Sequence, residues 1–251
     1  MISPDAVLKI ALKEEGYLEK SKAAYTINKD IIYEKTAGAG SDNYTKYGKE
    51  MHSVLPGVMD FPAAWCDCFV DWCMYKAYGA ETAQKVLCGR FDDYTVNSSN
   101  YYKKANRWAN NKPVPGDQIF FRNTTRICHT GLVYKADKRY VYTIEGNTSD
   151  KGILVPNGGA VARKKYVLSY ANIAGYGKPK YDVRATCALG DCNADVVYLQ
   201  QRLMALGYPL PKWGADGEFG EETFKAVKHF RNDNGLKSSG TVDAACWLKL
   251  G

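Results

Sequence analysis

Apolar positions near the start of the chain fall at Val7, Leu8, Ala11 and Leu12, behind Ser3-Pro4 and ahead of Gly16. That spacing is one face of a capped amphipathic helix. From 20 to 60 the pattern dissolves into Tyr, Lys, Asn and Gly, and a long irregular loop is expected. A second helix is predicted from about 62 to 78, stopped by Gly79, with short helices over 80–88 and 92–106. After Pro113-Val114-Pro115-Gly116-Asp117 the period changes. Residues 118–122, 128–135, 140–146 and 161–168 carry the β-branched and aromatic bias of short strands separated by turns. Helices first and an antiparallel sheet second predict an α+β domain.

Gly175-Tyr176-Gly177-Lys178-Pro179-Lys180 reads as the start of a linker. Beyond it, Val196, Leu199, Leu203 and Leu206 recur at i, i+3, i+7 and i+10, a helix face ended by Gly207. Ala226, Val227 and Phe230 mark another helix, and Val242, Trp247 and Leu248 complete a three-helix core. The expected organisation is a domain over 1–177, a linker over 178–184 and a small all-α domain over 185–251.

Composition narrows the function classes. With 251 residues, 45% apolar and 24% charged, the chain is ordinary globular protein, which excludes disorder, collagen and coiled coil. No stretch approaches the roughly 20 apolar residues of a membrane span, so no membrane partner is expected. The net charge is +7, of which +6 lies in residues 1–177, with 24 Lys/Arg against 18 Asp/Glu. A modestly basic surface suits an anionic partner such as cell-wall polymer. Arg163-Lys164-Lys165 alone does not make a nucleic-acid site. Eight cysteines without paired C-x2-C blocks, and only three histidines, argue against zinc. Met1 to Asp5 shows no basic leader followed by an apolar run, so Sec export is not expected.

The chemistry concentrates in three places. Cys66 lies near the start of the second predicted helix, where the amide dipoles favour a thiolate. His129 stands on a predicted strand beside small residues that leave one side open. Glu145 and Asn147, two apart on the next strand, face one side of the sheet, and a hairpin brings one of them beside His129. Cysteine, histidine and an acceptor that orients the imidazole form a nucleophilic acyl-transfer set. Cys68 points about 200° away from Cys66 on a helix, Cys73 reads as core, and Cys128 should face away from His129. Tyr47 reads equally as a groove residue and as an ordinary loop tyrosine. A disulfide among Cys187, Cys192 and Cys246 is left open.

The run Trp65-Cys66-x-x-Phe69-Val70-x-Trp72-Cys73 resembles the nucleophile helix of CHAP-family amidases and endopeptidases. So do Pro115-Gly116-Asp117, His129-Thr130-Gly131-Leu132-Val133 and Ile144-Glu145-Gly146-Asn147-Thr148 in their own places. The resemblance implies a papain-like fold and cleavage of peptidoglycan, with Cys66 as nucleophile, His129 as base, Glu145 orienting it and Asn147 auxiliary. It implies no cofactor. Without an Asp-x-Asp loop before the nucleophile, calcium independence is expected. Residues 195–230, with Asp216-Gly217-Glu218-Phe219-Gly220, resemble the three-helix peptidoglycan-binding domain, with Arg231 and Cys246 departing from its usual Gln and Thr.

A wall-degrading domain followed by a wall-binding one resembles a phage endolysin, expected as a monomer made in the bacterial cytoplasm and acting on the wall after release. Two other readings stand beside it. One is an NlpC/P60-type D-glutamyl endopeptidase; the other is a non-catalytic wall-binding protein.

Overall fold

Pro4 supplies the φ angle of a helix start, and α1 (Pro4–Lys13) runs from it with Val7, Leu8 and Ala11 buried. The computed structural model describes residues 2–149, 158–181, 184 and 186–250. Within it the chain forms two units, one of residues 3–180 and one chiefly of residues 181–251. The segment expected as a long loop holds α2 (Lys22–Ile27), a 3-10 turn (Lys29–Tyr33) and α3 (Lys46–Val54). Side-chain caps specify the two helices: Ser21 Oγ accepts from the Ala24 N–H, and Thr45 Oγ1 from the Gly48 N–H. Such short pieces have too few turns to show a period.

The next helix, α4 (Cys66–Tyr78), begins four residues later than its apolar pattern predicts and ends at Gly79, whose φ is +72°. Its first nine residues are all buried, the mark of a helix enclosed on every side. α5 (Ala80–Val86) and α6 (Thr95–Lys104) follow. The sheet then forms from β1 (Trp108–Ala109), β2 (Gln118–Arg122), β3 (Ile127–Ala136), β4 (Tyr140–Thr148), β5 (Ala160–Val167) and β6 (Ile173–Gly177). Its order is β1-β6-β2-β3-β4-β5, antiparallel throughout. The first unit is thus the expected α+β arrangement of helices followed by an antiparallel sheet.

One linker expectation fails here. Gly175 and Gly177 belong to an interior strand, and their lack of a side chain serves packing rather than flexibility. A Cβ at Gly177 would stand 2.3 Å from the Tyr102 ring, and one at Gly175 2.5 Å from the Trp108 ring. Residues 178–180 are also tied to this unit. The Lys178 and Lys180 N–H groups bond the Arg107 and Val86 carbonyls, and the Lys178 ammonium pairs with Asp117 at 2.5 Å. Residues 182 and 183 of the expected linker lie outside the described residues.

In the second unit, α7 (Ala194–Ala205) is capped by Asn193 and packs with α8 (Glu221–Asp233) and α9 (Ala244–Leu250). Val196, Leu199, Leu203, Phe219, Val227 and Phe230 are central to its core, with Cys246 and Leu250 from α9. Leu248, expected in that core, is 84% exposed, because α9 starts at residue 244 and turns Cys246 and Leu250 inward instead. Leu206 is exposed too. Val242 reaches the core from a β-bridge with Cys187, ahead of the helix. The buried Arg231 donates to the Lys237 and Thr241 carbonyls and pairs with Asp243 at 3.1 Å, fastening α8 to the turn before α9. Cys187 and Cys246 are buried in this unit, while Cys192 is exposed.

Candidate active site

Alternation along β3 decides what each residue of Cys128-His129-Thr130-Gly131-Leu132 touches. His129 pairs with Phe121 of β2, and its ring lies 5.8 Å from the Phe121 ring, centroid to centroid. That face also carries Ile119, Val133, Val141 and Tyr166, packed as one cluster. Thr130 faces the other way, where Gln118 donates to its hydroxyl oxygen. Gly131 again faces the His129 side. A Cβ there would sit 2.5 Å from Cγ of Glu145, so the glycine is the space into which the Glu145 side chain fits. Phe121 opposes His129 while Arg122 opposes Ile127, which leaves Cys128 as the extra residue of a β-bulge. Bulges re-aim neighbouring side chains.

Glu145 and His129 meet as expected: His129 Nε2 lies 2.9 Å from Glu145 Oε2, with both residues fully buried. Two hydroxyls hold the carboxylate from other sides. Thr143 Oγ1 donates to Oε1, and the Tyr166 hydroxyl donates to Oε2 at 3.3 Å. Alternation already placed Thr143 on the Glu145 face, two residues earlier, whereas Tyr166 comes from β5 and had no sequence signal.

Cys66 is the first residue of α4, so its N–H is among the four that have no partner within the helix. Burial alone would lower the basicity of His129. The Cys66 sulfur and the Glu145 carboxylate outweigh burial and raise the imidazole to about 10. Nδ1 of the ring has no well-aligned hydrogen-bond partner, and the Cys66 sulfur lies close enough to the ring to raise it. Such pairs often tighten only when substrate is bound.

Three expectations change at this site. The predicted opening beside His129 is absent, because the Phe121–Tyr166 cluster and Glu145 fill it; Cys66 itself keeps 6% of its surface. Asn147 makes no hydrogen bond to His129 or Glu145. The strand register shifts between Glu145 and Thr148, and Asn147 takes a φ of +53° with both side-chain amide atoms buried and unpartnered. Tyr47 is fully buried, donating to Glu14 at 2.7 Å and stacking on Trp65, so it lines no groove. Cys68 and Cys73 are buried, their thiols pushed well up by burial first and then by neighbouring acids, Asp71 beside Cys68 and Glu14 beside Cys73.

Two family models match the chain: residues 58–147 match the CHAP domain, and residues 192–250 match a peptidoglycan binding domain. The chain carries both domains. The matched CHAP segment spans α4 through β4 and so contains Cys66, His129 and Glu145. Two proteins of Bacillus licheniformis resemble part of the chain. One, named a probable N-acetylmuramoyl-L-alanine amidase, is 45% identical over 20% of this chain and 14% of its own length. The other, N-acetylmuramoyl-L-alanine amidase CwlL, is 43% identical over 22% and 16%. The chain thus spans about a sixth of these relatives.

Among solved structures, the SleB N-terminal domain is 31% identical over 27% of this chain and 90% of that one, with a TM-score of 0.26. The Burkholderia AP3 phage endolysin is 37% identical over 27% of this chain and 25% of that one, at 0.25. Ly7917 is 17% identical over 51% and 59%, at 0.33.

Around the CHAP domain's pair, residues of the quoted motifs and their neighbours supply further support. Gly146 lets α4 approach β4, since a Cβ there would meet the Phe69 side chain at 2.5 Å. Trp65, just before Cys66, donates its indole N–H to the buried Glu19 at 2.7 Å. Asp67, just after it, accepts from Ser98 at 2.6 Å and from Gln118 at 3.0 Å. The helix start bearing the thiol is therefore fixed on both sides by buried polar contacts. Among the described residues no group of three or more acids, histidines and cysteines is arranged to hold a metal.

Proposed function

We propose that this protein is a cell-wall hydrolase that cleaves an amide bond of bacterial peptidoglycan, with Cys66 as nucleophile, His129 as base and Glu145 holding the imidazole. The carrying observation is the buried 2.9 Å contact between His129 and Glu145, with the Cys66 sulfur beside the same ring at a helix start. In this reading the Cys66 thiol passes its proton to the imidazole as it attacks. The sulfur attacks the amide carbon, and the carbonyl electrons move onto oxygen near the free amides that begin α4. The C–N bond breaks as His129 passes its proton to the leaving amine. Water then adds to the thioester, giving a proton to His129, and the carboxylate product leaves as Cys66 is released.

The match to a peptidoglycan binding domain supports the wall as substrate. In the second unit, a groove of about 740 Å³ beside the start of α8 is lined by Trp213, Asp216, Glu218 and Glu221 among others, with Trp213 62% exposed. A wall-anchored second contact raises the local concentration of the first unit on an insoluble substrate. Because both curated relatives carry amidase names, the bond between muramic acid and L-alanine is the first to examine.

The test uses purified walls, with Cys66→Ala as the variant. Wild type should release fragments whose new N-termini, read by mass spectrometry, identify the bond, while Cys66→Ala should release none yet still sediment with walls. Continued release by that variant would overturn the assignment of the nucleophile.

A further inference from the structure

A pocket of about 370 Å³ opens at the β2–β3 turn, lined by Lys103, Trp108, Arg122, Thr125, Arg126 and Ile127 among others. No aspartate or glutamate lines it. The three cations also lack acidic partners among the described residues. Arg122 reaches only the Ala171 carbonyl at 3.4 Å, and Arg126 donates to the Ile127 carbonyl at 3.0 Å and lies over the Tyr94 ring. The Lys103 ammonium sits 4.7 Å from the centre of the Trp108 ring. Like charges gathered without a counter-charge repel one another, and an anion relieves that repulsion.

Position says which anion. Ile127 lines the pocket, and His129 follows two residues on in the same strand, across the bulge at Cys128. Between them the Cys128 thiol feels both the Arg126 charge and the Cys66 sulfur. A chain whose scissile carbonyl lies at Cys66 therefore presents its neighbouring residue to the pocket. We propose that Arg122 and Arg126, with Lys103, receive a free carboxylate of the peptidoglycan stem peptide next to the cleaved bond. The pocket then makes the enzyme favour stems with free over amidated carboxyl groups. This inference rests on the function proposed above.

The experiment uses the full-length protein and two wall preparations that differ only in whether the D-glutamyl α-carboxyl is free or amidated, each also stripped of teichoic acid. Wild type should cleave free-acid walls with kcat/KM about tenfold or more above amidated walls, as a lost charge-assisted pair requires. The preference should lie in KM and shrink with salt. Arg122→Gln with Arg126→Gln should bring the ratio to within about twofold of one, and the matching lysine pair should restore most of it. An unchanged melting temperature shows that the variants fold. A wild-type ratio near one overturns the pocket assignment while cleavage itself leaves the hydrolase reading in place. A preference that vanishes when teichoic acid is stripped also overturns it, and assigns the pocket to phosphate. Failure to cleave any wall would instead count against the hydrolase reading.

Discussion

Glu145→Gln isolates the carboxylate's charge while keeping its shape. In the folded protein the imidazole is raised from 6.5 to about 10 although the ring is fully buried. At about 1.4 kcal/mol per pKa unit, that preference for the protonated ring is worth on the order of 5 kcal/mol. It is a net figure, since burial works against it and the Cys66 sulfur shares the opposing effect. Glutamine removes the charge and leaves the burial cost in place, so the imidazole should fall by at least about one to two units. Its carboxamide also offers Nε2 a choice of donor or acceptor, so the ring loses its fixed tautomer. Loss of an orienting carboxylate in comparable sets costs roughly ten-thousandfold in kcat.

Two readouts follow. The alkaline limb of kcat/KM on walls, placed near pH 10 in wild type by the raised imidazole, should move to lower pH in Glu145→Gln, with a rate at least about a hundredfold lower. Titration of the His129 ring by NMR should show the same displacement. With only His52 and His229 besides it, the signal is assignable by a His129→Gln control. An alkaline limb unmoved in the variant, with activity within threefold of wild type, would refute the claim that this carboxylate sets the imidazole.

Other substitutions test the supports. Gly131→Ala puts a Cβ 2.5 Å from Cγ of Glu145 and 2.9 Å from the Ile144 carbonyl, so it should cost about 1–3 kcal/mol by denaturant unfolding and lower activity further by displacing Glu145. Glu19→Ala leaves the Trp65 indole N–H buried without its acceptor and should cost about 1–3 kcal/mol; Glu19→Gln, which still accepts, should recover most of it in the same melts. Burial, with nearby acids, raises Asp67 to about 7. A carboxyl with a raised folded pKa adds stability below its unfolded pKa near 4 and loses it as pH climbs through 7. The melting temperature of the protein should therefore decline between pH 4 and 7, and less so in Asp67→Asn. Incubation with EDTA should leave the rate of wall cleavage unchanged, and its loss would mean that a bound cation supports the site.

The residues that are legible in the sequence are those whose roles depend on position along one element. Cys66 before a helix and His129 and Glu145 on adjacent strands follow from period and hairpin geometry, because a strand alternates regardless of what packs against it. Thr143 was open to the same rule. Asn147 shows the rule's limit. The alternation that puts it beside Glu145 holds only for an unbroken ladder, and the register shift after Glu145 breaks it. β6 escaped for a related reason. Its glycines read as a linker, but Tyr102 and Trp108, distant in sequence, press so close that no side chain fits.

The closed pair also bears on the proposed reaction. An open groove over the sulfur is the simplest arrangement for attack, yet His129 lies on the face of the sheet that carries the Phe121–Tyr166 cluster. That enclosure keeps water from the imidazole–carboxylate contact, and charge interactions strengthen as water is excluded. It leaves the exposed approach to the Cys66 side, where the helix amides begin and the bulge at Cys128 bends β3. In the proposed reading, His129 and Glu145 therefore act from inside the sheet while the Cys66 sulfur alone meets substrate. Substitutions on the inner face, at Gly131 or Tyr166, should then alter kcat and its pH profile with little change in KM. Those at Arg122 and Arg126 should alter KM and its salt dependence and leave the position of the alkaline limb unmoved.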